Sequence, residues 1–432
     1  MRLAVVGGGW AGLAAAVEAT LLGHRVSLYE MAHEPGGRAR RVAATEPALD
    51  NGQHILIGAY VEPLRLMAVV GADAERVLDR RPLTLAYADG GTLALPPGAP
   101  QLAFARAVVG RLGWTFGDRL RLLWTTAGWA RNGFRCDPRL TVAELSAALP
   151  ASARRDLVEP LCVAALNTPA AQASATVFLR VLHDALFGAR GSADLLLPRV
   201  DLSALWPDVA RRWLVARGAS LHLGHRVGQL DANGAGWRVD GEAVEGVVLA
   251  ASSVEAARLA GPHAGAWAET TRALRHEPIV TVVLCSEGTR LPQPMLALHA
   301  GPSAPAQFVF DLGELRGIAG MLAFVVSGAA AWVERGMTAT VEATLAQARS
   351  ALGAHLRGPL REVRTVVEKR ATFLCTPDLA RPAAAIAPGL MAAGDYVDGP
   401  YPATLEGAVR SGVAAARAFI SAGRTAPPAV RR

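Results

Sequence analysis

The first thirty residues constrain the fold more than any other part of the chain. Residues 3–6 are a short apolar run (LAVV), which is typical of a strand buried on both faces of a parallel sheet. The run leads into residues 7–12 (GGGWAG), a match to G-x-G-x-x-G. Residues 13–22 predict a helix, and residues 25–30 predict a second strand that ends in an acid. This order is typical of a dinucleotide-binding βαβ unit.

Each of these positions has a physical task in such a unit. Gly7 makes the tight turn after the strand, Gly9 lets the backbone approach a pyrophosphate, and Gly12 lets the helix pack closely on the strand. The pyrophosphate then lies at the helix N-terminus, where unpaired N–H groups point outward. Glu30 follows the motif at the spacing expected of an acid that accepts hydrogen bonds from an adenosine ribose.

A second glycine-rich segment, residues 35–40 (PGGRAR), separates two kinds of cofactor. An NAD site does not need it. The longer pyrophosphate path of FAD can use close backbone approach at Gly37 and a charged fork from Arg38. Together with the preceding acid, this segment resembles the flavoprotein superfamily of amine oxidases and carotenoid (phytoene) desaturases. The resemblance implies that FAD is the cofactor.

The same resemblance implies that the second half of the FAD site lies near the carboxyl terminus. The stretches LMAAGDY and GPYPATLEGAVRSG supply a strand ending in Gly394 and Asp395, a proline-containing turn and a helix. Asp395 is expected to accept a hydrogen bond from a ribityl hydroxyl. The first turn of the helix, at Thr404 and Leu405, is expected to point N–H groups at the pyrimidine edge of the flavin, where reduction places negative charge.

A third segment of the FAD site is predicted in the middle of the chain. Residues 225–230 and 237–239 alternate in polarity, which predicts antiparallel strands joined by a turn at residues 231–234. Residues 247–250 read as a buried strand. The superfamily resemblance implies that the backbone of Val227 contacts adenine.

These segments predict an α/β fold with two domains that are both discontinuous in sequence. One is a Rossmann-like FAD-binding domain (GR2-type), and the other is an α+β substrate-binding domain. We expect the FAD-binding domain at residues 1–85, 200–275 and 365–424, the substrate domain at 86–199 and 276–364, and a tail at 425–432.

Within the substrate domain, residues 101–134 have helical periodicity and are rich in Trp and Arg. Such a segment either lies on a membrane surface or covers a substrate cavity, and the sequence leaves both readings open. Residues 338–356 predict a further helix of ordinary composition.

Charge and cysteine usage exclude several classes of protein. The net charge is +7, and Lys369 is the single lysine among 44 basic residues. Because the chain prefers arginine throughout, its positive charge is weak evidence for an acidic partner. The arginines are dispersed, and no nucleic-acid partner is expected. Four widely spaced cysteines predict neither a disulfide framework nor a metal site, and a reducing cytoplasm is the simplest compartment. His222 and His225 lack carboxylate partners in the sequence pattern, so no metal is expected there either.

Hydropathy gives a similar limit. No stretch reaches the ~18 apolar residues that a transmembrane helix needs. We therefore expect a cytoplasmic protein, with peripheral contact to the inner face of the cytoplasmic membrane under the first reading of residues 101–134.

A narrower resemblance rests on residues 49–60 (LDNGQHILIGAY), 368–373 (EKRATF) and 401–412. These are similar to the squalene-associated FAD-dependent desaturases, a family whose characterised activity is that of hydroxysqualene dehydroxylase. The resemblance implies a C30 isoprenoid substrate and reductive dehydroxylation of hydroxysqualene to squalene by hydride from N5 of the reduced flavin. It assigns no electron donor to the flavin.

His54 is the candidate catalytic residue in this reading. It follows the segment expected to run beside the flavin, and an imidazole suits a proton donor or an anchor for the substrate hydroxyl. The alternatives are a structural histidine or a flavin contact. Asp50 is expected to cap the turn or to hold local backbone.

Two other functions stay open at this stage. One keeps FAD and changes the substrate, as in a carotenoid desaturase or an amine oxidase. Amine oxidation favours an aromatic cage, for which Tyr396 and Tyr401 are the tyrosines near the carboxyl-terminal motif. The other is a non-enzymatic prenyl-binding escort protein, which would carry no flavin.

Overall fold

The computed structural model describes residues 1–42, 47–96, 98–234 and 236–423. The predicted tail at residues 425–432 lies outside the described residues. The strands are β1 (Arg2–Val6), β2 (Arg25–Glu30), β3 (Arg41–Val42), β4 (Leu49–Asp50), β5 (Leu56–Ile57), β6 (Leu78–Arg81), β7 (Thr84–Ala86), β8 (Thr92–Ala94), β9 (Leu195–Pro198), β10 (Ser220–Leu223), β11 (Leu230–Asn233), β12 (Gly236–Val239), β13 (Glu242–Val244), β14 (Gly246–Leu249), β15 (His276–Cys285), β16 (Met295–Ala297), β17 (Phe308–Asp311), β18 (Met321–Val326), β19 (Arg361–Phe373), β20 (Ala385–Ala387) and β21 (Leu390–Ala392).

The helices are α1 (Trp10–Leu21), α2 (Glu62–Val70), α3 (Ala74–Val77), α4 (Pro100–Gly110), α5 (Phe116–Arg131), α6 (Val142–Leu145), α7 (Ala151–Ala153), α8 (Glu159–Leu166), α9 (Ala175–Leu186), α10 (Leu202–Leu205), α11 (Pro207–Ala216), α12 (Ser253–Ala260), α13 (Gly265–Arg272), α14 (Leu312–Arg316), α15 (Ala330–Arg335), α16 (Met337–Leu352) and α17 (Leu405–Gly423). A π-helical turn, Arg154–Val158, joins α7 to α8.

The first sheet has six strands in the order β10-β2-β1-β14-β21-β20. Neighbours from β10 to β21 pair in parallel, and β20 runs antiparallel to β21. Leu3 and Val5 pack with α1 and α17 on one face, whereas Ala4 and Val6 face the other core cluster, as the two-residue period of a strand requires. The carboxyl ends of parallel strands share one edge, so the loops after β1, β2 and β21 meet there.

The second sheet has five antiparallel strands in the order β16-β17-β18-β15-β19. Leu322 and Phe324 of β18 pack in one core cluster with Val341 of α16, and Ala323 packs in another that includes Phe178 of α9. Helices α4, α5, α8 and α9 supply apolar side chains to the latter cluster. A Rossmann-like unit and an α+β unit are therefore both present, and the predicted fold class is confirmed. The limits of the two domains stay a prediction, and β19 crosses the predicted limit at residue 365.

Two local predictions are wrong in detail. The helical segment at residues 101–134 is two helices, α4 and α5, because Gly113 adopts a φ of +84° between them. Residues 225–229 are irregular rather than a strand, and the strand β11 instead includes residues predicted to turn. Asp240 accepts hydrogen bonds from the N–H groups of Gly228 and Gln229, at 2.9 and 3.0 Å. These bonds replace the ladder that a strand would need.

The predicted helices at residues 13–22 and 338–356 correspond to α1 and α16, and the helix predicted after the proline-containing turn corresponds to α17. In the part of the chain that is described, no helix is both long enough and apolar enough to cross a bilayer.

Candidate functional site

The loop after β1 has the geometry that its glycines predict. Gly7 has a φ of +109°, and a Cβ there would lie 2.5 Å from the carbonyl oxygen of Ala250. A Cβ on Gly12 would lie 1.8 Å from the carbonyl oxygen of Gly7. Neither position accepts a side chain without moving backbone, so the turn and the close packing of α1 on β1 both require glycine.

The two glycine-rich segments lie against each other. Gly9 forms an isolated parallel bridge with Gly36, and a Cβ on Gly37 would lie 3.0 Å from the Cα of Gly9. Gly9 is also the residue that precedes the first turn of α1. Two stretches of bare backbone therefore border the N-terminus of α1, where a pyrophosphate is stabilised by unpaired N–H groups.

Glu30 lies at the end of β2 with its carboxylate turned back to this loop. Its Oε2 accepts a hydrogen bond from the N–H of Gly8 at 2.6 Å, and its Oε1 accepts one from the N–H of Ala32 at 2.8 Å. An ionised carboxylate has about four acceptor positions. Two therefore remain for the hydroxyls of a ribose, which fits the predicted role.

Arg38 joins the amino-terminal and carboxyl-terminal motifs. One guanidinium nitrogen donates to Oδ1 of Asp395 at 2.5 Å, and another donates to the carbonyl oxygen of Ala371 at 2.6 Å. The guanidinium group of Arg38 thus donates hydrogen bonds to protein groups, whereas the sequence predicted that it points toward phosphate. The second oxygen of Asp395 remains available for a ribityl hydroxyl.

The carboxyl-terminal motif is built on equally close contacts. A Cβ on Gly394 would lie 2.4 Å from the ring of Tyr396, and the N–H of Gly394 donates to Oγ of Ser411 at 2.8 Å. Thr404 precedes α17, and its Oγ1 accepts from the N–H of Gly407 at 3.0 Å. This is the geometry of an N-cap, so Thr404 and Leu405 begin the helix where the sequence predicted.

Helices α1 and α17 bring the two ends of the chain together. A Cβ on Gly412 would lie 2.1 Å from the carbonyl oxygen of Ala11. Such backbone contact is available only to glycine. The two helices pack side by side on the first sheet, and the predicted convergence of both termini on one site follows from this contact.

Val227 lies in the segment after β10, near the end of β2 that carries Glu30. It is buried, and it follows β10, whose Leu223 pairs with Glu30. Its carbonyl oxygen accepts a hydrogen bond from Arg258 at 2.7 Å. Its contact with adenine stays a prediction.

His54 lies beside Gly52, between the first domain and β15. A Cβ on Gly52 would lie 3.7 Å from the His54 ring and 3.9 Å from Oγ1 of Thr281. Burial lowers the pKa of His54 to about 4, a value that includes a further lowering contribution from Arg38. It also includes opposing contributions to the pKa from the Gly52 backbone and Glu368. The imidazole is therefore neutral near pH 7. Its Nδ1 is shielded from solvent and forms no hydrogen bond of regular geometry with any described residue, although the Gly52 backbone interacts with the ring closely enough to oppose the lowering of its pKa.

Tyr396 has a second unpartnered polar atom next to the Arg38–Asp395 pair. The residue is buried, and its hydroxyl also lacks a hydrogen-bond partner among the described residues. Burial and the Asp395 charge raise the pKa of Tyr396, so the phenol keeps its proton. Buried polar atoms without partners are rare in folded proteins. Two of them near bare backbone and a carboxylate fit a polar cofactor such as FAD.

Asp50 was predicted to cap the turn or to hold local backbone, but its carboxylate binds two distant segments of the chain, at Leu202 and Arg316. Its Oδ1 accepts from the N–H of Leu202 at 2.9 Å, and its Oδ2 accepts from Arg316 at 2.9 Å. Both side chains of the pair are almost inaccessible to solvent. Asp50 therefore ties the segment that leads to His54 to α10 of one unit and α14 of the other.

Asn167 and His276 are two further residues that sequence reasoning missed. Asn167 is buried at the end of α8 with a φ of +46°. Its amide contacts Thr372 at 3.0 Å and Gly328 at 2.7 Å, so it joins α8 to the second sheet. His276 shares a hydrogen bond of 3.1 Å with Ser253. Asn is one of the residues that end helices in the left-handed conformation, so an Asn directly after an apolar run was a sequence signal that could have found Asn167.

Tyr401 lies between two cations. The guanidinium carbon of Arg410 is 4.9 Å from its ring centre, and that of Arg180 is 5.6 Å away. Arg180 belongs to α9 and Arg410 to α17, so the tyrosine links the substrate unit to the flavin unit.

One premise of the metal analysis is wrong, because His225 does have a carboxylate partner. Its Nε2 lies 2.8 Å from Asp240, and its ring packs against Tyr29. Among the residues described, no group of three His, Cys, Asp or Glu side chains is arranged to hold a metal ion.

A small apolar cavity lies in the substrate unit beneath α4 and α5. Its volume is about 20 Å³, which is room for about one water molecule. Its walls include Phe104, Leu122, Trp129, Phe178 and Leu182. A larger groove of about 410 Å³ lies against β20, β21 and α17, and none of the candidate site residues line it.

Comparison with known proteins gives a consistent result. The model of the flavin containing amine oxidoreductase family matches residues 10–420. A hydroxysqualene dehydroxylase from Rhodopseudomonas palustris is 27% identical over 455 residues, which cover 97% of this chain and 98% of the relative. One from Zymomonas mobilis is 26% identical over 447 residues, covering 96% and 98%. A zeta-carotene desaturase from Zea mays is 33% identical over 106 residues, covering 23% and 18%.

Solved structures share the fold over almost the whole chain. An oxidoreductase from Methanosarcina mazei has a TM-score of 0.75 at 15% identity, covering 97% of this chain and 100% of that one. The cyclohexylamine oxidase of Brevibacterium oxydans has a TM-score of 0.69 at 17% identity, covering 98% and 99%. At these identities the likeness is one of fold.

Proposed function

The chain belongs to the flavin-containing amine oxidoreductase family, and from this premise we propose that it converts hydroxysqualene to squalene by reductive dehydroxylation. FAD is its cofactor, as the sequence predicted. The observation that carries the proposal is the similarity to two hydroxysqualene dehydroxylases over almost the full length of both partners. The substrate would be a C30 isoprenoid, and the overall change replaces a C–O bond by a C–H bond.

The reaction needs a hydride, a proton and a place for the departing oxygen. When bound in its reduced form, the flavin supplies the hydride to the carbon that loses its hydroxyl. The proton converts the departing hydroxide to water. The chain must therefore hold the hydroxyl in place, assist its protonation and keep bulk water from the cation-like carbon.

His54 is the residue proposed for the hydroxyl. Because its pKa is lowered to about 4, it is neutral at pH 7, and a neutral imidazole holds a hydroxyl through a hydrogen bond. This supports the anchoring role over the role of an imidazolium proton donor. Tyr396 retains its phenolic proton in the same region and supplies a second donor.

The cofactor residues are proposed by the same reasoning. The pyrophosphate would lie on the glycines of the first loop, Glu30 would bind the adenosine ribose, and Asp395 would bind the ribityl chain. The N-terminus of α17, begun by Thr404 and Leu405, would face the flavin ring. The Val227 backbone would contact adenine. Arg38 would act through Asp395, because its fork is occupied by protein groups.

Amine oxidation is disfavoured at Tyr401 because cations already lie at its ring. The guanidinium groups of Arg180 and Arg410 are 5.6 and 4.9 Å from the ring centre, and their charges are balanced by Asp184 and Glu406. The ring is therefore already occupied and does not form a free wall of an amine-binding cage.

Carotenoid desaturation is the second candidate, and the similarity to a zeta-carotene desaturase over part of the chain favours it. A desaturase takes hydride from its substrate, so it reduces the flavin. Reductive dehydroxylation oxidises the flavin. The direction of the flavin colour change on mixing therefore separates the two.

An anaerobic single turnover tests the proposal. Photoreduced holoprotein is mixed with hydroxysqualene, and flavin reoxidation is followed together with squalene by mass spectrometry. We expect one squalene per flavin reoxidised. A flavin that stays reduced, with no squalene formed, contradicts the proposal, and a protein that purifies without flavin favours the escort alternative.

Variants of His54 test its role. His54→Ala is expected to retain flavin and to lose most of the turnover, whereas His54→Gln keeps an N–H donor and is expected to retain more. His24 is a matched control, because its Nε2 is also buried without a partner among the described residues and it lies outside the site. Unchanged turnover in His54→Ala removes the residue from the mechanism.

A cytoplasmic protein with peripheral membrane contact stays a prediction from the sequence. A C30 isoprenoid with a single hydroxyl dissolves in a bilayer rather than in water. An enzyme that acts on it therefore gains by taking its substrate directly from lipid.

A further inference from the structure

The α4–α5 hairpin, residues 100–131, is covered outside by large apolar side chains that no part of the described structure buries. Thirteen large hydrophobic residues are exposed among those described, and six of them fall in this hairpin. The three most exposed are Leu112 at 80%, Phe116 at 79% and Trp124 at 74%. Soluble monomers rarely gather such side chains in one patch, and a patch of this kind indicates a binding surface.

The apolar side chains share one face of α5. Phe116, Leu120 and Trp124 are spaced four residues apart, so they line one side of the helix. The opposite side carries Leu122 and Thr126, which are buried against the core. Helix α5 therefore carries apolar residues on the side that packs against the core and on the side that faces outward. A helix of this kind is normally buried on both sides, so we expect its outward side to be covered when the protein functions.

Arginines accompany these apolar side chains. Residues 100–131 contain five arginines and one aspartate, a net charge of +4. The aspartate, Asp118, is occupied, because it forms a capping box with Thr115 and accepts from Ser152 at 2.9 Å. Arg106 and Arg131 are exposed and form no salt bridge with any described residue. A basic and apolar surface fits a bilayer with anionic headgroups.

A second copy of the chain is the competing occupant of this surface. In a two-fold dimer the same patch meets itself. Arg111 is buried beside Asp156, so each hairpin presents its other four arginines and Asp118, a net charge of +3, and two such faces would repel each other. An anionic bilayer supplies the opposite charge together with an apolar interior, so it satisfies both features of the patch.

The inner side of the hairpin also favours a membrane as the occupant of its outer side. Phe104 of α4 and Leu122 and Trp129 of α5 line the apolar cavity of the substrate unit. The cavity holds about 20 Å³, far below the ~300 Å³ at which ligand pockets begin. The hairpin therefore covers the apolar interior on one side and presents apolar side chains outward on the other.

We propose that the outer face of the α4–α5 hairpin docks on an anionic lipid bilayer, with Leu112, Phe116 and Trp124 entering the acyl boundary and Arg106 and Arg131 at the headgroups. If the proposed function holds, an isoprenoid substrate would then leave the bilayer beneath the hairpin. The docking itself does not depend on the identity of the reaction.

Vesicle flotation of the holoprotein tests this surface without substrate. Vesicles of phosphatidylcholine alone are compared with vesicles that also contain phosphatidylglycerol. Wild-type protein is expected to float with the anionic vesicles. The triple variant Leu112→Ser/Phe116→Ser/Trp124→Ser is expected to bind at least about 100-fold more weakly, since each buried apolar side chain contributes about tenfold or more. Arg106→Gln/Arg131→Gln is expected to lose about fivefold per arginine on anionic vesicles only.

A matched control replaces exposed apolar residues elsewhere. Val215→Ser/Val254→Ser removes side chains that are 58% and 42% exposed on α11 and α12, and it is expected to bind like wild type. Bound flavin and circular dichroism verify that each variant is folded. Equal binding by the wild type and the triple variant overturns the proposal, as does an equal loss in the control. Sedimentation velocity tests the competing occupant. If the wild type is a dimer that does not bind vesicles, and the triple variant is a monomer, the face binds a second copy of the chain and the proposal is also overturned.

Discussion

The buried ion pair between Asp50 and Arg316 should make this protein less stable, not more, as the pH rises through about 6. The Asp50 side chain is 4% exposed and the Arg316 side chain 8%. Burial raises the pKa of Asp50 from 3.8 to about 6, and the attraction of Arg316 offsets only part of that effect. A carboxyl with a raised pKa stabilises the fold fully below its ordinary pKa, and this contribution is lost as the pH passes the folded value.

The magnitude follows from the size of the pKa change. A rise from 3.8 to about 6 corresponds to about 3 kcal/mol. Asp50→Asn cannot ionise, so it provides the reference. The free energy of unfolding of the wild type minus that of Asp50→Asn is expected to fall by about 2.5 kcal/mol between pH 4 and pH 8, because part of the change occurs below pH 4.

Urea unfolding of the holoprotein at several pH values measures this difference. Taking the difference between the two proteins removes the titration of all other groups. Arg316→Met extends the test, because removal of the cation leaves the Asp50 charge with the Leu202 N–H as its one remaining donor among the described residues. That variant is expected to lose about 3–5 kcal/mol at pH 8 and less at pH 4. A difference that rises with pH would refute the reasoning, since the ion pair would then outweigh burial.

Three further predictions concern the flavin site. Gly412→Ala places a Cβ 2.1 Å from the Ala11 carbonyl and is expected to lose about 1–3 kcal/mol of stability, seen as a lower Tm, together with weaker FAD binding. Gly265→Ala, where a Cβ meets nothing within 4 Å, is the control. Tyr396→Phe removes a buried, unpartnered hydroxyl, so the apoprotein should keep its Tm while FAD binding weakens; a lower apoprotein Tm contradicts this. Because the pKa of His54 is about 4, kcat should show no inflection from this histidine between pH 5.5 and 8, and an inflection lost in His54→Gln would contradict it.

Local backbone chemistry was the most predictable part of the molecule. Gly7 and Gly12 are required by contacts within one βαβ unit, so their roles follow from short-range spacing. The start of α17 at Thr404 follows in the same way from an N-cap. The approach of the second glycine pair to Gly9 also agrees with the sequence.

Contacts between distant segments were less predictable. Arg316 lies 266 residues from Asp50, and no local pattern links an arginine after an apolar run to one particular carboxylate. Arg38 was expected near phosphate because of its charge, yet it holds Asp395. Arginine is so frequent in this chain that its presence alone predicts little about its partner.

Two errors in secondary structure have identifiable causes. Residues 225–229 alternate like a strand, but the carboxylate of Asp240 takes their N–H groups. The break between α4 and α5 had a signal, since Gly113 precedes a Thr-x-x-Asp capping box at Thr115. A capping box predicts the start of a helix. It therefore indicates two helices in residues 101–134, whereas hydrophobic periodicity alone indicates one.

A single turnover in heavy water tests the central proposal most directly. The flavin is photoreduced in ²H₂O under anaerobic conditions, so that the hydride it carries is deuterium, and hydroxysqualene is then added. The account predicts squalene that is one mass unit heavier, with one molecule formed per flavin reoxidised. Unlabelled squalene, or a reduced flavin that persists without product, would contradict it.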